Sequence, residues 1–332
     1  MQKKLRVGVV GVGKLGALHV SVLREMPFVE LTGIFDRNPV RLSEVAREWD
    51  VRSFPSIEEL VPRVEAVVIA VPTQDHARVA VPFLEAGRHI FVEKPVTATL
   101  DEADRLVTLA QQKAVTFQVG HIERFNPAFL SLRGEELRPL FIESHRLSSF
   151  DPRGTDVAVV LDLMIHDIDL ILSLINSPVE RIDATGVAVV SHEADIANAR
   201  LRFANGCVAN LTASRISLKK MRKMRIFQKN VYLTLDFLEK QAEIYRLREE
   251  GEDMPDTALA FGTIENAGVR KQVLYEKRTR ENTNALKEEL KAFVEAVSEG
   301  KTPPVSGEDG RRALQVALQI MEQVKANQKM YV

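Results

Sequence analysis

Two periods of apolar residues run along this chain, and the change from one to the other divides it. Leu5–Val10 is an unbroken apolar run that ends in glycine, the pattern of a parallel strand buried on both faces. A helical period follows over Leu15–Arg24, then a strand-like run at Leu31–Phe35 and a helix opened by proline at Pro39–Trp49. Ala66–Val71, His89–Val92 and Val115–Val119 read as further strands, with helices at His76–Ala86, closed by Gly87, and at Asp101–Lys113. Short apolar runs alternating with helices of ten to fifteen residues make βαβ units, so this part is predicted to be a doubly wound parallel α/β sheet.

After Gly120 the texture changes. Glu143–Phe150 reads as an extended strand and Val157–Ile175 as one long helix. From Ile182 to about Glu276 strand-like runs succeed one another, with turn signals such as Ala204-Asn205-Gly206 and an acidic, proline-bearing loop at Glu249–Asp256. Strands without intervening helices imply a large, mostly antiparallel open sheet, hence a second, α+β domain. Helices at Thr283–Glu299 and Gly307–Lys325 complete the pattern. The division expected is residues 1–121 for the first domain and 122–332 for the second.

Composition narrows the function classes. The 332 residues are 45% apolar and 27% charged, a balance that supports a packed core. Lys plus Arg total 45 against 46 Asp plus Glu, so the chain lacks the basic surplus that nucleic-acid binding draws on. The one basic cluster, Lys219-Lys220-Met221-Arg222-Lys223-Met224-Arg225, has no interleaved aromatics and reads as the wet face or edge of a sheet. No apolar run approaches the roughly eighteen residues of a membrane span. The opening MQKKLRVGVVGVG reads as a buried strand rather than a signal peptide, so a cytoplasmic location is expected. A single cysteine, Cys207, excludes an intrachain disulfide and a cysteine-based zinc site, and no metal is expected.

Chemistry enters at the end of the first strand. Gly11-Val12-Gly13-Lys14-Leu15-Gly16 follows a buried strand, opens a helix and precedes Asp36, twenty residues beyond Gly16 at the end of the second strand. Gly11 suits the tight turn, Gly13 the approach of a pyrophosphate, and Gly16 close packing of helix on sheet. The helix N-terminus then faces the phosphates. Asp36 matches the hydroxyls of an adenosine ribose and repels a 2′-phosphate, which predicts NAD rather than NADP. The neighbouring Arg37 is the feature that suits the phosphorylated cofactor.

Ligands of open parallel sheets bind beyond the carboxyl ends of the strands. Pro72-Thr73 follows one such end and Glu93-Lys94-Pro95 the next, so Lys94 is expected to point an ammonium toward the cofactor. His76 opens a helix beside Thr73, near the expected nicotinamide ribose. His19, one turn beyond Gly16, either approaches the cofactor or packs against the second domain. On the predicted helix Val157–Ile175, Asp162, His166 and Asp169 stand at i, i+4 and i+7 among Val159, Val160, Leu163, Leu170, Leu172 and Leu174. Two readings of that stripe stand side by side: a histidine tuned for acid–base work, and a core histidine capped by Asp162.

The glycine motif, Glu93-Lys94-Pro95 and Asp162-Leu163-Met164-Ile165-His166, in this order and spacing over essentially the whole chain, resemble the Gfo/Idh/MocA family of sugar and cyclitol oxidoreductases. The resemblance implies a Rossmann domain ahead of an α/β domain whose sheet forms a homodimer or homotetramer interface. It also implies that Lys94, Asp162 and His166 line the nicotinamide site as the catalytic set. From the residues themselves, Gly11 to Gly16, Asp36, Arg37, Pro72, Thr73, His76, Glu93 and Lys94 are expected to hold the cofactor. Gly120-His121-Ile122-Glu123-Arg124-Phe125-Asn126-Pro127 is similar to the branch that oxidises the 3-hydroxyl of UDP-N-acetylglucosamine, whose keto product can pass to an aminotransferase. Many family members carry glycines where Val159, Val160 and Met164 stand here, which points toward nucleotide sugars. Arg124 and Asn126 then become candidate substrate residues with Lys94 and His166. The fork of Arg124 suits a diphosphate oxygen and equally an interdomain salt bridge. Inositol or free-sugar oxidation, and a non-catalytic dinucleotide-binding regulator, are the alternatives.

Overall fold

The computed structural model describes residues 4–151, 157–249, 257–266, 269–280 and 283–328. The acidic loop expected at Glu249–Asp256 lies outside the described residues from position 250 onward. The chain groups into two compact units, Met1–Phe125 with Asn284–Gln315, and Asn126–Thr283 with Val316–Val332.

In the first unit, β1 (Leu5–Val10), α1 (Lys14–Arg24), β2 (Val29–Phe35), α2 (Pro39–Trp49) and α3 (Ile57–Leu60) lead to β3 (Ala66–Ile69), α4 (His76–Glu85), β4 (His89–Glu93), α5 (Leu100–Gln112) and β5 (Phe117–Gly120). The five strands pair in the order β2-β1-β3-β4-β5, every pair parallel. The chain leaves β1 toward one edge and resumes at β3 toward the other. The carboxyl ends of β1 and β3 therefore flank the switch point where such sheets hold ligands. Unbroken apolar strands suit this arrangement because helices cover both faces, and Val7, Val9, Val68 and Phe91 are fully buried.

Residues 284–315 join this unit, which departs from the contiguous division expected at residue 121. The reason is packing. Helix α8 (Ala285–Glu299) presents Leu290, Phe293 and Val294 to the cluster built by Val7, Val9, Val20, Leu23 and Phe91. Gly307 and Gly310, in the first turn of α9 (Gly307–Gln328), lie against Phe117 and Val119, where a Cβ would come within 2.3 and 2.6 Å.

The second unit begins with α6 (Pro127–Leu130) and β6 (Phe141–Leu147) and continues, after a π-turn at Val160–Met164, into α7 (Ile165–Leu174). Eight strands follow: β7 (Val179–Val187), β8 (Ile196–Phe203), β9 (Val208–Ser214), β10 (Met221–Gln228), β11 (Val231–Asp236), β12 (Gln241–Glu249), β13 (Leu259–Asn266) and β14 (Val269–Thr279). They form a nine-stranded sheet in the order β13-β14-β12-β11-β10-β6-β9-β8-β7. All pairs are antiparallel except β6 with β9. Alternation along β8, with Ala197, Ala199, Leu201 and Phe203 buried and Asn198, Arg200 and Arg202 exposed, marks a sheet covered on one face.

One expectation in this unit is narrowed and one corrected. From Met221 to Arg225 the basic run lies in β10, which pairs with β11 on one side and β6 on the other, so of the two readings, wet face or edge, the face holds. Its charges stand on the sheet face, where Lys223 meets Asp236 at 3.0 Å and Arg225 meets Glu143 at 3.1 Å. The helix expected over Val157–Ile175 is α-helical only from Ile165, because the residues carrying Asp162 wind as the wider π-turn.

Candidate active site

The glycine loop is shaped by contacts that side chains would forbid. Gly11 has φ +85°, and a Cβ there would lie 2.7 Å from the backbone of Ala70. A Cβ on Gly16 would lie 1.8 Å from the carbonyl oxygen of Gly11, so only glycine lets α1 start this close to β1. At Gly13 a Cβ would meet nothing within 4 Å. That open ground lies at the start of α1, which has no side-chain cap and no acidic residue in its first turn. Its N–H groups are left to an anion, so the loop fits the pyrophosphate of a dinucleotide.

Asp36 is held at the end of β2 by two backbone donors, Val12 N–H at 2.7 Å and Asn38 N–H at 2.8 Å. Arg37 donates instead to Asp75, at 3.4 Å, and Arg78 donates to the same carboxylate at 2.9 Å. The Arg37 contact is an exposed surface pair, whereas a carboxylate stands at the ribose position, and that carboxylate suits NAD. A cavity of about 590 Å³ runs along these groups, lined by Gly11, Gly13, Asp36, Arg37, Pro72 and Asp75 among others. Thr73 opens the short 3₁₀ turn Thr73–Asp75 just beyond Pro72.

Beyond β4, Lys94 is half-buried and its own backbone N–H lies 3.3 Å from Glu93 Oε2. The other oxygen of Glu93 meets His19 Nε2 at 2.7 Å in a buried contact. His19 thus pairs inside the first unit, with a residue of the Glu-Lys-Pro motif.

His76, expected near the nicotinamide ribose, is held by backbone carbonyls of the two loops beside it. It is 1% exposed, with Nδ1 facing the carbonyls of Pro95 at 2.9 Å and Val96 at 3.3 Å, and Nε2 facing that of Val71 at 3.0 Å. It ties the loop after β3 to the loop after β4. Burial pushes its pKa down, against the pull of those carbonyls and of Glu93. A neutral imidazole has one N–H, so it donates to one side of this clamp at a time.

In the second unit, Asp162 lies in the π-turn and His166 in the first turn of α7, both half-buried. π-turns widen the helix and re-aim the side chains they carry, and they recur at functional sites. The neighbouring Asp167 is buried and forms a two-bonded pair with Arg146 of β6, at 3.0 and 2.8 Å, which fixes α7 on the sheet. A second buried pair holds the approach to the π-turn. Arg215 donates to Asp195 at 2.8 Å and to the Val157 carbonyl at 2.5 Å, while Val159 N–H donates to the Ala194 carbonyl. Burial opposes ionisation of Asp195. The N–H groups of Val190 and Ser191, the Ser191 hydroxyl and Arg215 nevertheless hold its carboxyl well below the usual carboxylate range.

Arg124 lies 4.0 Å from Asp309, an ion pair within the first unit. Asn126 caps α6 by accepting from Ala128 N–H at 3.0 Å, and donates to the Phe237 carbonyl at 3.1 Å. Sequence reasoning missed Arg146, Asp167, Asp195 and Arg215, whose partners lie far apart in the chain. The one signal at hand was an Asp or Arg standing at an inward position of an apolar alternation, where burial requires a partner.

Residues 5–121 match the model of the GFO_IDH_MocA oxidoreductase family, described as an NAD-binding Rossmann fold, and residues 118–234 match the GFO/IDH/MocA C-terminal domain. UDP-N-acetylglucosamine 3-dehydrogenase of Acidithiobacillus ferrooxidans is 38% identical over 325 residues, covering 97% of this chain and 98% of that protein. A solved structure of that enzyme superposes with a TM-score of 0.87 at 37% identity, again over 97% of this chain and 98% of that one. Myo-inositol 2-dehydrogenase of Thermotoga maritima is 27% identical, covering 93% of each chain. No described helix is long and apolar enough to cross a membrane.

Proposed function

Because the chain belongs to the Gfo/Idh/MocA oxidoreductase family, we propose that it is an NAD-dependent dehydrogenase that oxidises the 3-hydroxyl of UDP-N-acetylglucosamine or a closely related UDP-sugar. The observation that carries the reading is the occurrence of Lys94, Asp162, His166 and a dinucleotide loop in one chain, 38% identical over 97% of its length to an enzyme of that name. The same three residues argue against a non-catalytic regulator, which has no use for them.

NAD, when bound, supplies the acceptor for the hydride leaving the carbinol carbon. Gly11, Gly13 and the first N–H groups of α1 hold the pyrophosphate, and Asp36 holds the adenosine ribose. His166 takes the hydroxyl proton at a ring nitrogen, and Asp162 orients it. The Lys94 ammonium stabilises the negative charge that develops on the oxygen. Arg124 is assigned to a diphosphate oxygen of the substrate. Asn126 sets the start of α6 and reaches substrate through that placement.

Reduction of NAD by UDP-N-acetylglucosamine, followed by absorbance, tests the reading with myo-inositol as the comparison substrate. Lys94→Ala and His166→Ala are each expected to lower kcat by at least about 10²-fold. Turnover of myo-inositol alone would assign the chain to cyclitol oxidation, and no turnover of either would remove the proposal.

The open face of the second sheet fits a second copy of the chain. Phe141, Phe227, Tyr232, Tyr245 and Tyr275 stand opposite one another on successive strands, with ring centroids 4.9 to 5.7 Å apart. Phe261 of β13 extends the row. Charges of both signs flank it, in the Lys223–Asp236 and Arg225–Glu143 pairs. A two-fold copy meets its own opposite charges around such an apolar centre. Tyr245→Glu is expected to convert a dimer or tetramer to monomer in light scattering, and a wild-type chain that is monomeric at working concentration contradicts it. A 3-keto sugar is a substrate for transamination, so an aminotransferase is the downstream partner assigned. The cytoplasm, which keeps a lone thiol such as Cys207 reduced and supplies NAD, is the compartment assigned.

A further inference from the structure

We propose that His19 and Glu93 are positioning residues for Lys94: through Glu93, His19 fixes the peptide from which the Lys94 side chain springs. Glu93 ends β4, and its carboxylate turns back into the unit instead of reaching for solvent. One oxygen meets His19 Nε2 at 2.7 Å, and the other lies 3.3 Å from the backbone N–H of Lys94. The opposing residue of β5 is Gly120, where a Cβ would come within 2.8 Å of Glu93 Oε2. Glycine at 120 therefore leaves the room that the carboxylate occupies.

His19 is fully buried and stands edge-on to Phe91, with ring centroids 5.5 Å apart. A buried carboxylate without a partner is costly, and His19 is the side-chain donor that meets it here. His19 also belongs to α1, the helix into whose N-terminus the glycine loop runs. One rigid element thus carries the end of the dinucleotide loop and the group that anchors the Lys94 peptide. A lysine has a long, rotatable stem, so the place of its ammonium depends on where the backbone begins. Misplacing a reacting group by about 1 Å can cost on the order of 10²-fold in rate.

The proposal rests on the reading of Lys94 as the charge-stabilising group, and a double-mutant cycle separates the two. His19→Leu removes the donor, and His19→Gln keeps an N–H near the place of Nε2. In the Lys94 enzyme, His19→Leu is expected to lower kcat about 10-fold, with His19→Gln restoring it to within about 3-fold. NAD affinity, measured by calorimetry without substrate, should stay within about 2-fold. In the Lys94→Ala background the His19→Leu loss should shrink below about 2-fold, because the group being positioned is gone. Gly120→Ala, which presses on the same carboxylate from β5, should behave in parallel and serves if His19→Leu does not fold. Equal losses in both backgrounds, or loss of NAD affinity in step with kcat, overturn the positioning role while leaving Lys94 in place. A Lys94→Ala enzyme with full activity overturns the reading of Lys94 and this proposal with it.

Discussion

The two units fix their local geometry with different material. The first uses backbone and missing side chains: Gly11 turns, Gly13 leaves open ground, Gly16 admits the helix, and N–H groups face the ligand. The second uses side-chain ion pairs buried against the sheet, Arg146 with Asp167 and Arg215 with Asp195, to hold a π-turn and the helix after it. A backbone cradle tolerates little variation in residue type but asks little of distant residues. A π-turn lacks the regular ladder of an α-helix, so its shape is imposed from outside. An open glycine loop and a fixed π-turn are thus built by opposite means.

Removing a partner from the second unit should therefore have the largest effect on stability. Arg146→Ala leaves the Asp167 carboxylate buried beside His166, and about 3–5 kcal/mol of unfolding free energy should be lost in urea titrations. The double change Arg146→Met with Asp167→Leu should recover most of it, since no charge is then stranded. In the first unit, Gly13→Ala should do the reverse. The added methyl meets no protein atom within 4 Å, so stability should change by about 1 kcal/mol or less, while NAD affinity falls by about tenfold or more. A Gly13→Ala protein that melts early and still binds NAD would erase the contrast.

The smallest effect is in the response to pH. Burial lowers the pKa of His76 below the ordinary 6.5, so the unfolded chain binds a proton that the native one refuses. Stability from this group is complete above pH 6.5 and is lost as pH falls toward its depressed native value. Asp195, held well below the ordinary 3.8, loses its contribution only as pH drops beneath that figure. Mild acid should thus weaken the first unit before the second. A His76→Gln chain whose stability is as sensitive between pH 6.5 and 5 as the parent's would contradict the assignment.

How much of this could be read from the residues alone follows the same line. The parallel sheet, the glycine loop and Asp36 depend on local periods and short spacings, and their elements begin and end within a few residues of expectation. Helix α8 was misplaced because its amphipathic pattern states that it packs, not on which sheet. The π-turn escaped because apolar residues at Val159, Val160 and Leu163 fit an α-period equally well. His76 looked like a ligand-facing residue from its place at a strand end. Only the carbonyls of Val71, Pro95 and Val96, brought together by the fold, show it to be a clamp. A single sequence can mark that a buried charge needs a partner, but not which residue supplies it.

The most direct measurement follows the hydrogen itself. UDP-N-acetylglucosamine labelled with deuterium at C3, incubated with the protein and NAD, should yield reduced cofactor carrying that deuterium at C4 and a sugar ketone without it. Reduced cofactor that carries no label, or a sugar recovered unchanged while myo-inositol is oxidised, would contradict the account.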